Sequence, residues 1–243
     1  MASLHKMKKD DVMTDVTLKL PDGSAVSCHK IVLMASSPFF ETMFQSGLKE
    51  STEQDVRLDF ADADTIRMLL DFFYSGEIDI NENNARIIAS ASEFLCMEDL
   101  KDECDSSLAT LVNSSNYVEL GRFGKKYNLA MLTAKSQDYI LANFEEIVKT
   151  SCEFKTFTVN ELAELLSNDK LMADNEDLVF ESVIRWVNFE PDERKEAFTR
   201  IAPLIRFPFC SQATLNNIIP QEPLMWNSEC MHLLSEAQNY RMN

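Results

Sequence analysis

Glycine is scarce, with five residues in 243. There is no Gly-Gly pair, no GxGxxG and no Walker-type loop, so no glycine cradle for phosphate is on offer. A β-propeller would demand far more glycine than this. Basic residues are also short: 23 Lys and Arg stand against 40 Asp and Glu, a net charge of −17. Such a chain is repelled by phosphate backbones and anionic lipid, which argues against nucleic acid and membrane surfaces and for protein partners. No apolar run reaches the roughly 18 residues of a membrane span. The opening MASLHKMKKDDVM lacks the apolar centre of a signal peptide. Histidine is limited to His5, His29 and His232. None of the six cysteines (Cys28, Cys96, Cys104, Cys152, Cys210 and Cys230) forms a CxxC, so neither a metal site nor a cofactor is expected. The thiols are expected to be reduced, in a cytosolic or nuclear compartment, as buried small hydrophobes with about one exposed. No Ser or Cys has the sequence context of a nucleophile, and no catalytic residue is expected.

What is present is 45 % hydrophobic residues, enough to build a sizeable core in one large or two small domains. Residues 3–11 read as a short helix. Val16, Leu18 and Leu20 alternate as in a half-buried strand, Pro21-Asp22-Gly23 turns the chain, and Ala25 to Cys28 returns. Val56-Arg57-Leu58 and Ile78-Asp79-Ile80 read as brief strands. Between them, Asp62 or Asp64 caps a helix through Ile66, Leu69, Leu70, Phe73 and Tyr74, with Gly76 just past its end. Helices follow over 84–94, 99–111, 117–127 and 131–143. Thr158 and Glu161 form a capping box, and 175–188 puts Val179, Val183, Trp186 and Val187 on one face. A helix from Pro191 or Asp192 through Ile201, then 211–218 and 228–240, complete the chain. A small mixed sheet with helices therefore occupies residues 1–112, and an all-α array of antiparallel helix pairs occupies 113–243.

The stretch from His29 to Glu50 stands out. It reads as two short helices broken at Ser36-Ser37-Pro38, where Ser37 can cap and Pro38 can open the second helix. Phe39, Phe40, Met43 and Phe44 follow, then Gly47, Leu48, Lys49 and Glu50. So many aromatic and Met side chains can serve as core, as partner surface, or as one after the other.

The first half resembles a BTB (POZ) domain. The resemblance is carried by Thr14-Asp15-Val16-Thr17-Leu18, His29-Lys30-Ile31-Val32-Leu33 after Cys28, Ser37-Pro38-Phe39-Phe40, Met43-Phe44, Phe73-Tyr74-Ser75-Gly76 and Ala91 to Leu95. The second half resembles a BACK domain through Asn116-Tyr117, Leu178-Val179-Phe180 with Trp186-Val187, and Leu204-Ile205-Arg206-Phe207-Pro208. Together they resemble the kelch-like family, whose members usually pass to a propeller after a segment like Leu233-Leu234-Ser235-Glu236-Ala237 and Tyr240.

The resemblance implies an α+β BTB domain followed by an all-α BACK domain whose first helices form a "3-box". It also implies a non-catalytic substrate adaptor of a cullin-3 RING ubiquitin ligase. The cullin-3 N-terminal domain would then meet Met43, Phe44, Leu48 and Glu50, with Asn116, Tyr117 and Phe123 adding area from the 3-box. Leu48-Lys49-Glu50 matches the family's hydrophobic-X-Glu motif. For Met43, Phe44, Tyr117 and Phe123, ordinary packing is the open alternative. Asp15, His29 and Lys30 match positions near the two-fold interface of BTB homodimers. An intradomain ion pair is the alternative for the two charges, and a satisfied structural histidine for His29. Only about 14 residues precede Asp15, so the first helix is short and the exchanged strand of many family members is not expected. With no substrate receptor in the sequence, a self-associating scaffold or a cullin-blocking protein is the alternative function.

Overall fold

The alternation at the start folds as a strand, β1 (Val16–Lys19), which buries Val16 and Leu18, with Leu20 buried just beyond its end. The computed structural model describes residues 2–47, 54–173 and 175–242. After the turn, where Gly23 adopts φ +84° and the Asp22 carboxylate accepts the Ser24 N–H at 2.9 Å, β2 (Ala25–Cys28) returns antiparallel. β3 (Asp55–Arg57) pairs parallel on the other side of β1, giving the order β2-β1-β3. The strand expected over Ile78–Ile80 does not form. Ile78 and Ile80 instead pack, half-buried, against the hydrophobic core as irregular chain.

Helices close the sheet. α1 (Ala2–Lys9) precedes β1, and α2 (Lys30–Ser36) and α3 (Pro38–Gln45) follow β2. α4 (Ala63–Ser75) is capped by Asp62, whose carboxylate accepts the Thr65 N–H at 2.9 Å, and stops at Gly76 with φ +78°. Its buried face is Ile66, Leu69, Leu70, Phe73 and Tyr74. α5 (Ala85–Phe94) and α6 (Glu98–Ala109) form a tight pair whose joint passes Cys96 at φ +57°. Buried Lys101 of α6 ties the pair through Glu93 of α5 at 2.8 Å and also meets Glu98 of its own helix at 2.7 Å. α7 (Tyr117–Lys126) and α8 (Ala130–Ala142) come next, and Leu120, Leu129 and Leu132 join the same core as the sheet. The chain divides into two compact units, Met1–Ser136 and Gln137–Asn243.

The second unit is helical. α9 (Phe144–Thr150) is followed by a short 3-10 turn, Glu153–Thr156. α10 (Val159–Leu166) carries the capping box: the Glu161 N–H donates to the Thr158 hydroxyl at 3.2 Å, and the Thr158 N–H donates to the Glu161 carboxylate at 2.8 Å. α11 (Glu176–Phe189) starts with Asn175 accepting the Leu178 N–H, and buries Val179, Val183, Trp186 and Val187 as their spacing requires. The Trp186 indole N–H donates to the Phe157 carbonyl at 2.8 Å, and the Arg194 guanidinium sits 4.3 Å from the Trp186 ring centroid. The helix expected through 201 is split into α12 (Pro191–Arg194) and α13 (Phe198–Ile201). Between them the ladder tightens to a Phe198 N–H bond on the Lys195 carbonyl. The helix expected over 211–218 ends in a π-turn, Thr214–Ile218, before α14 (Ser228–Met242). Cys28, Cys104, Cys210 and Cys230 are buried while Cys96 and Cys152 are both exposed, one more than expected. Among the described residues no helix is long and apolar enough to cross a membrane.

Candidate partner-binding surface

Residues 29–50 follow the sequence pattern with one local exception. Pro38 opens α3, but Ser37 makes no cap bond. Its hydroxyl donates instead to the Leu95 carbonyl at 2.7 Å, at the end of α5. Phe40 is buried and stacks on Phe44, with centroids 6.0 Å apart and planes 13° apart, while Phe73 meets it edge-on. Met43 and Phe44 are both half-buried against the core. Each keeps some side-chain surface exposed at the C-terminal end of α3, so the helix end is a rim of the core. Leu48, Lys49 and Glu50 lie outside the described residues.

Asp15, His29 and Lys30 come together, but as parts of one chain. The Asp15 carboxylate is exposed and accepts the Lys30 backbone N–H at 2.6 Å, the first N–H of α2, so it acts as a cap supplied from β1's leading end. The Lys30 ammonium lies 5.1 Å from the Phe44 ring centroid. His29 is 5 % exposed. Its Nε2 lies 2.9 Å from the Val12 carbonyl, which can only accept, so the ring proton sits on Nε2. The Tyr74 hydroxyl accepts the His29 backbone N–H at 2.9 Å and donates to Nδ1 at 2.8 Å. Burial pushes the Tyr74 hydroxyl up to about 12, which keeps it a donor. His29, expected at a dimer interface, is thus a core residue whose polar atoms are satisfied within its own chain. The apolar side chains exposed beside this cluster are Val12, Met13 at 81 % exposure and Ile31 at 70 %. Sequence reading missed them. Their signal was Ile31 beside Lys30 and two apolar residues inside the polar run Asp10–Asp15.

Of the three residues expected from the 3-box, Tyr117 is 1 % exposed and belongs to the core. It is the large side chain at the first turn of α7 and turns inward. Asn116 is half-buried and makes no cap. Its side chain accepts the Asn113 N–H at 2.8 Å and donates to the Leu111 carbonyl at 2.9 Å, clamping the loop before α7. Phe123 is half-buried, 4.6 Å from the Tyr127 ring centroid, with the Arg86 guanidinium 5.8 Å away. Arg86 also pairs with Glu119. No three His, Cys, Asp or Glu side chains converge as a metal site among the described residues. What these residues offer is side-chain surface: Met43 and Phe44 at the end of α3, and Phe123 on α7, are each half-buried against the core.

Comparison with known proteins separates the same two regions. Residues 4–112 match the BTB/POZ domain, and residues 117–220 match the BACK domain, "BTB And C-terminal Kelch". Kelch-like protein 2 of Homo sapiens is 31 % identical over 240 residues, which cover 98 % of this chain and 40 % of that protein. Kelch-like protein 7 of Mus musculus is 30 % identical over 243 residues, covering 100 % and 41 %. Kelch repeat and BTB domain-containing protein 8 of Homo sapiens is 31 % identical over 222 residues, covering 91 % and 37 %. The chain thus spans about 40 % of the length of these relatives. A three-stranded sheet with its helices in the BTB/POZ region, a helical BACK region after it, and relatives aligned along nearly the whole sequence mean that this chain belongs to the kelch-like BTB–BACK family.

Proposed function

We propose that this chain is a non-catalytic adaptor module of a cullin-3 RING ubiquitin ligase. It binds the cullin N-terminal domain through the end of α3 and the segment after it, with Met43, Phe44, Leu48 and Glu50 as the main contacts and Asn116 and Phe123 beside them. Tyr117 contributes from within, by fixing the first turn of α7. The observation that carries this reading is the rim at the end of α3: Met43 and Phe44 keep exposed surface immediately before Leu48-Lys49-Glu50, inside a region matching BTB/POZ. An apolar anchor with a carboxylate two residues on suits a helical partner, the first filling a pocket and the second accepting hydrogen bonds. The chain also forms a homodimer, through a face where Met13 and Ile31 are exposed beside Asp15 and Lys30. It acts in the cytosol or nucleus on a protein substrate held elsewhere.

The test is calorimetric titration of the chain against the cullin-3 N-terminal domain, with light scattering of the chain alone and of the mixture. Saturable binding at micromolar concentration is expected, weakened by Leu48→Asp and Glu50→Lys in proteins that keep their circular dichroism. Absence of binding at those concentrations overturns the reading. The exposed Met13 and Ile31 favour a second one, a self-associating scaffold, which a dimer that ignores the cullin would select.

A further inference from the structure

β2 is an edge strand, and the hydrogen bonds of the sheet show which of its backbone groups are unused. The Leu20 N–H donates to the Ser24 carbonyl, so these two opposite residues are a hydrogen-bonded pair. Antiparallel pairing alternates, which makes Lys19↔Ala25 and Thr17↔Ser27 the pairs without mutual bonds. The other side of β1 agrees: the Thr17 N–H and the Lys19 carbonyl are spent on Gln54 and Leu58, towards β3. The N–H and C=O groups of Ala25 and Ser27 therefore point away from the sheet. None of the four has a hydrogen-bond partner among the described residues.

Beside this edge lies a cleft of about 460 Å³ lined by His5, Lys8, Lys9, Asp11 and the backbone of Ala25 to Ser27. His5, Lys8 and Lys9 are spaced three and four apart, so they share one face of α1. Lys8 is held by Asp71 at 3.0 Å, whereas Lys9 has no ion-pair partner among the described residues. Asp11 closes the end of the cleft, with the Thr14 hydroxyl donating to its carboxylate at 2.5 Å. With Lys8 spent on Asp71, Lys9 is the lysine of this lining left for a ligand, on a chain of net charge −17. Exposed edges are commonly blunted with lysine or covered by other chain. Here the lysines stand across a cleft and leave the edge open.

We propose that β2 takes an extended, acidic segment of a partner protein as a fourth strand. Main-chain bonds to Ala25 and Ser27 provide the pairing, and a carboxylate side chain reaches Lys9. This surface is separate from the end of α3, so its fate does not depend on cullin binding.

Two-dimensional NMR of the full chain, titrated with a capped Val-Glu-Val-Glu-Val-Glu peptide, tests this. Saturable shifts and slowed exchange at the Ala25 and Ser27 amides are expected, with the Val-Lys counterpart binding on the order of fivefold more weakly. Ala25→Pro removes one outward N–H at the first position of an edge strand, where proline is tolerated, and should abolish the shifts. Lys9→Glu leaves the edge intact and should erase the preference for the acidic peptide. Unchanged Ala25 and Ser27 amides, equal binding of both peptides, or binding that survives Ala25→Pro overturns the proposal. So does sedimentation in which Ala25→Pro dissolves a dimer, since a second copy would then occupy the edge.

Discussion

The Asp105 carboxylate on α6 accepts the backbone N–H of Leu132, on α8, at 2.7 Å. Its other oxygen accepts the Met131 N–H at 2.9 Å, and the residue is 4 % exposed. Two of the N–H groups that a helix leaves unsatisfied at its start are thus capped by a neighbouring helix, with negative charge at the positive end of the dipole. Asp105→Ala leaves both unpaired, that of Leu132 in a buried place. It should cost about 2–3 kcal/mol in urea denaturation, with Asp105→Asn recovering part of the loss.

Tyr74→Phe should destabilise the first unit by about 1–3 kcal/mol. The phenyl ring fills the same space, but the His29 N–H and Nδ1 both lose their partner in a buried setting. Because Nε2 holds the Val12 carbonyl, hydrogen exchange over residues 10–14 should quicken in the variant. Unchanged exchange there would show that His29 does not hold this segment.

Ser92 is fully buried in α5, and its hydroxyl has no hydrogen-bond partner among the described residues. A buried hydroxyl without a partner costs more than it returns. Ser92→Ala should raise stability by about 1 kcal/mol, seen as a higher denaturation midpoint with an unchanged slope. A lower midpoint would mean that the hydroxyl is bonded in solution.

Glu176 supplies a pH dependence. Its side chain is 11 % exposed, one carboxylate oxygen has no partner among the described residues, and Arg206 Nε is 3.8 Å from the other. Burial raises its carboxyl above the ordinary 4.5, and Arg206 only partly opposes this. The folded state thus holds this proton more tightly than the unfolded chain does. The stability this contributes is complete below about pH 4.5 and is lost as pH rises through the folded value. Glu176→Gln should be more stable than the parent at neutral pH and equal to it below pH 4.5. An advantage that persists in acid would overturn the assignment.

The sequence made the sheet and its caps legible wherever the cause was local. The Pro21-Asp22-Gly23 turn, Asp62 and Gly76 around α4, and the Thr158–Glu161 box all act within a few residues, and all form. Distant partners left no such trace. Ser37 looked like a cap because nothing nearby shows that Leu95, 58 residues on, would claim its hydroxyl. His29 and Tyr117 sit at motif positions, yet burial by the whole fold turns both inward. Ile78-Asp79-Ile80 has strand composition, but its apolar side chains are used up against the core. The exposed Met13 follows from left-handed backbone at Asp11 and Met13, φ +53° and +59°, which no side-chain pattern announces.

The Ser37–Leu95 bond has a mechanical consequence. α3 is eight residues long, a rigid arm of about 12 Å pivoting just after Ser37. A swing of about 10° at that pivot would carry the far end through about 2 Å, enough to spoil a docking fit. The stop on the pivot is anchored at the end of α5, so the direction of Met43 and Phe44 depends on a carbonyl carried by another helix.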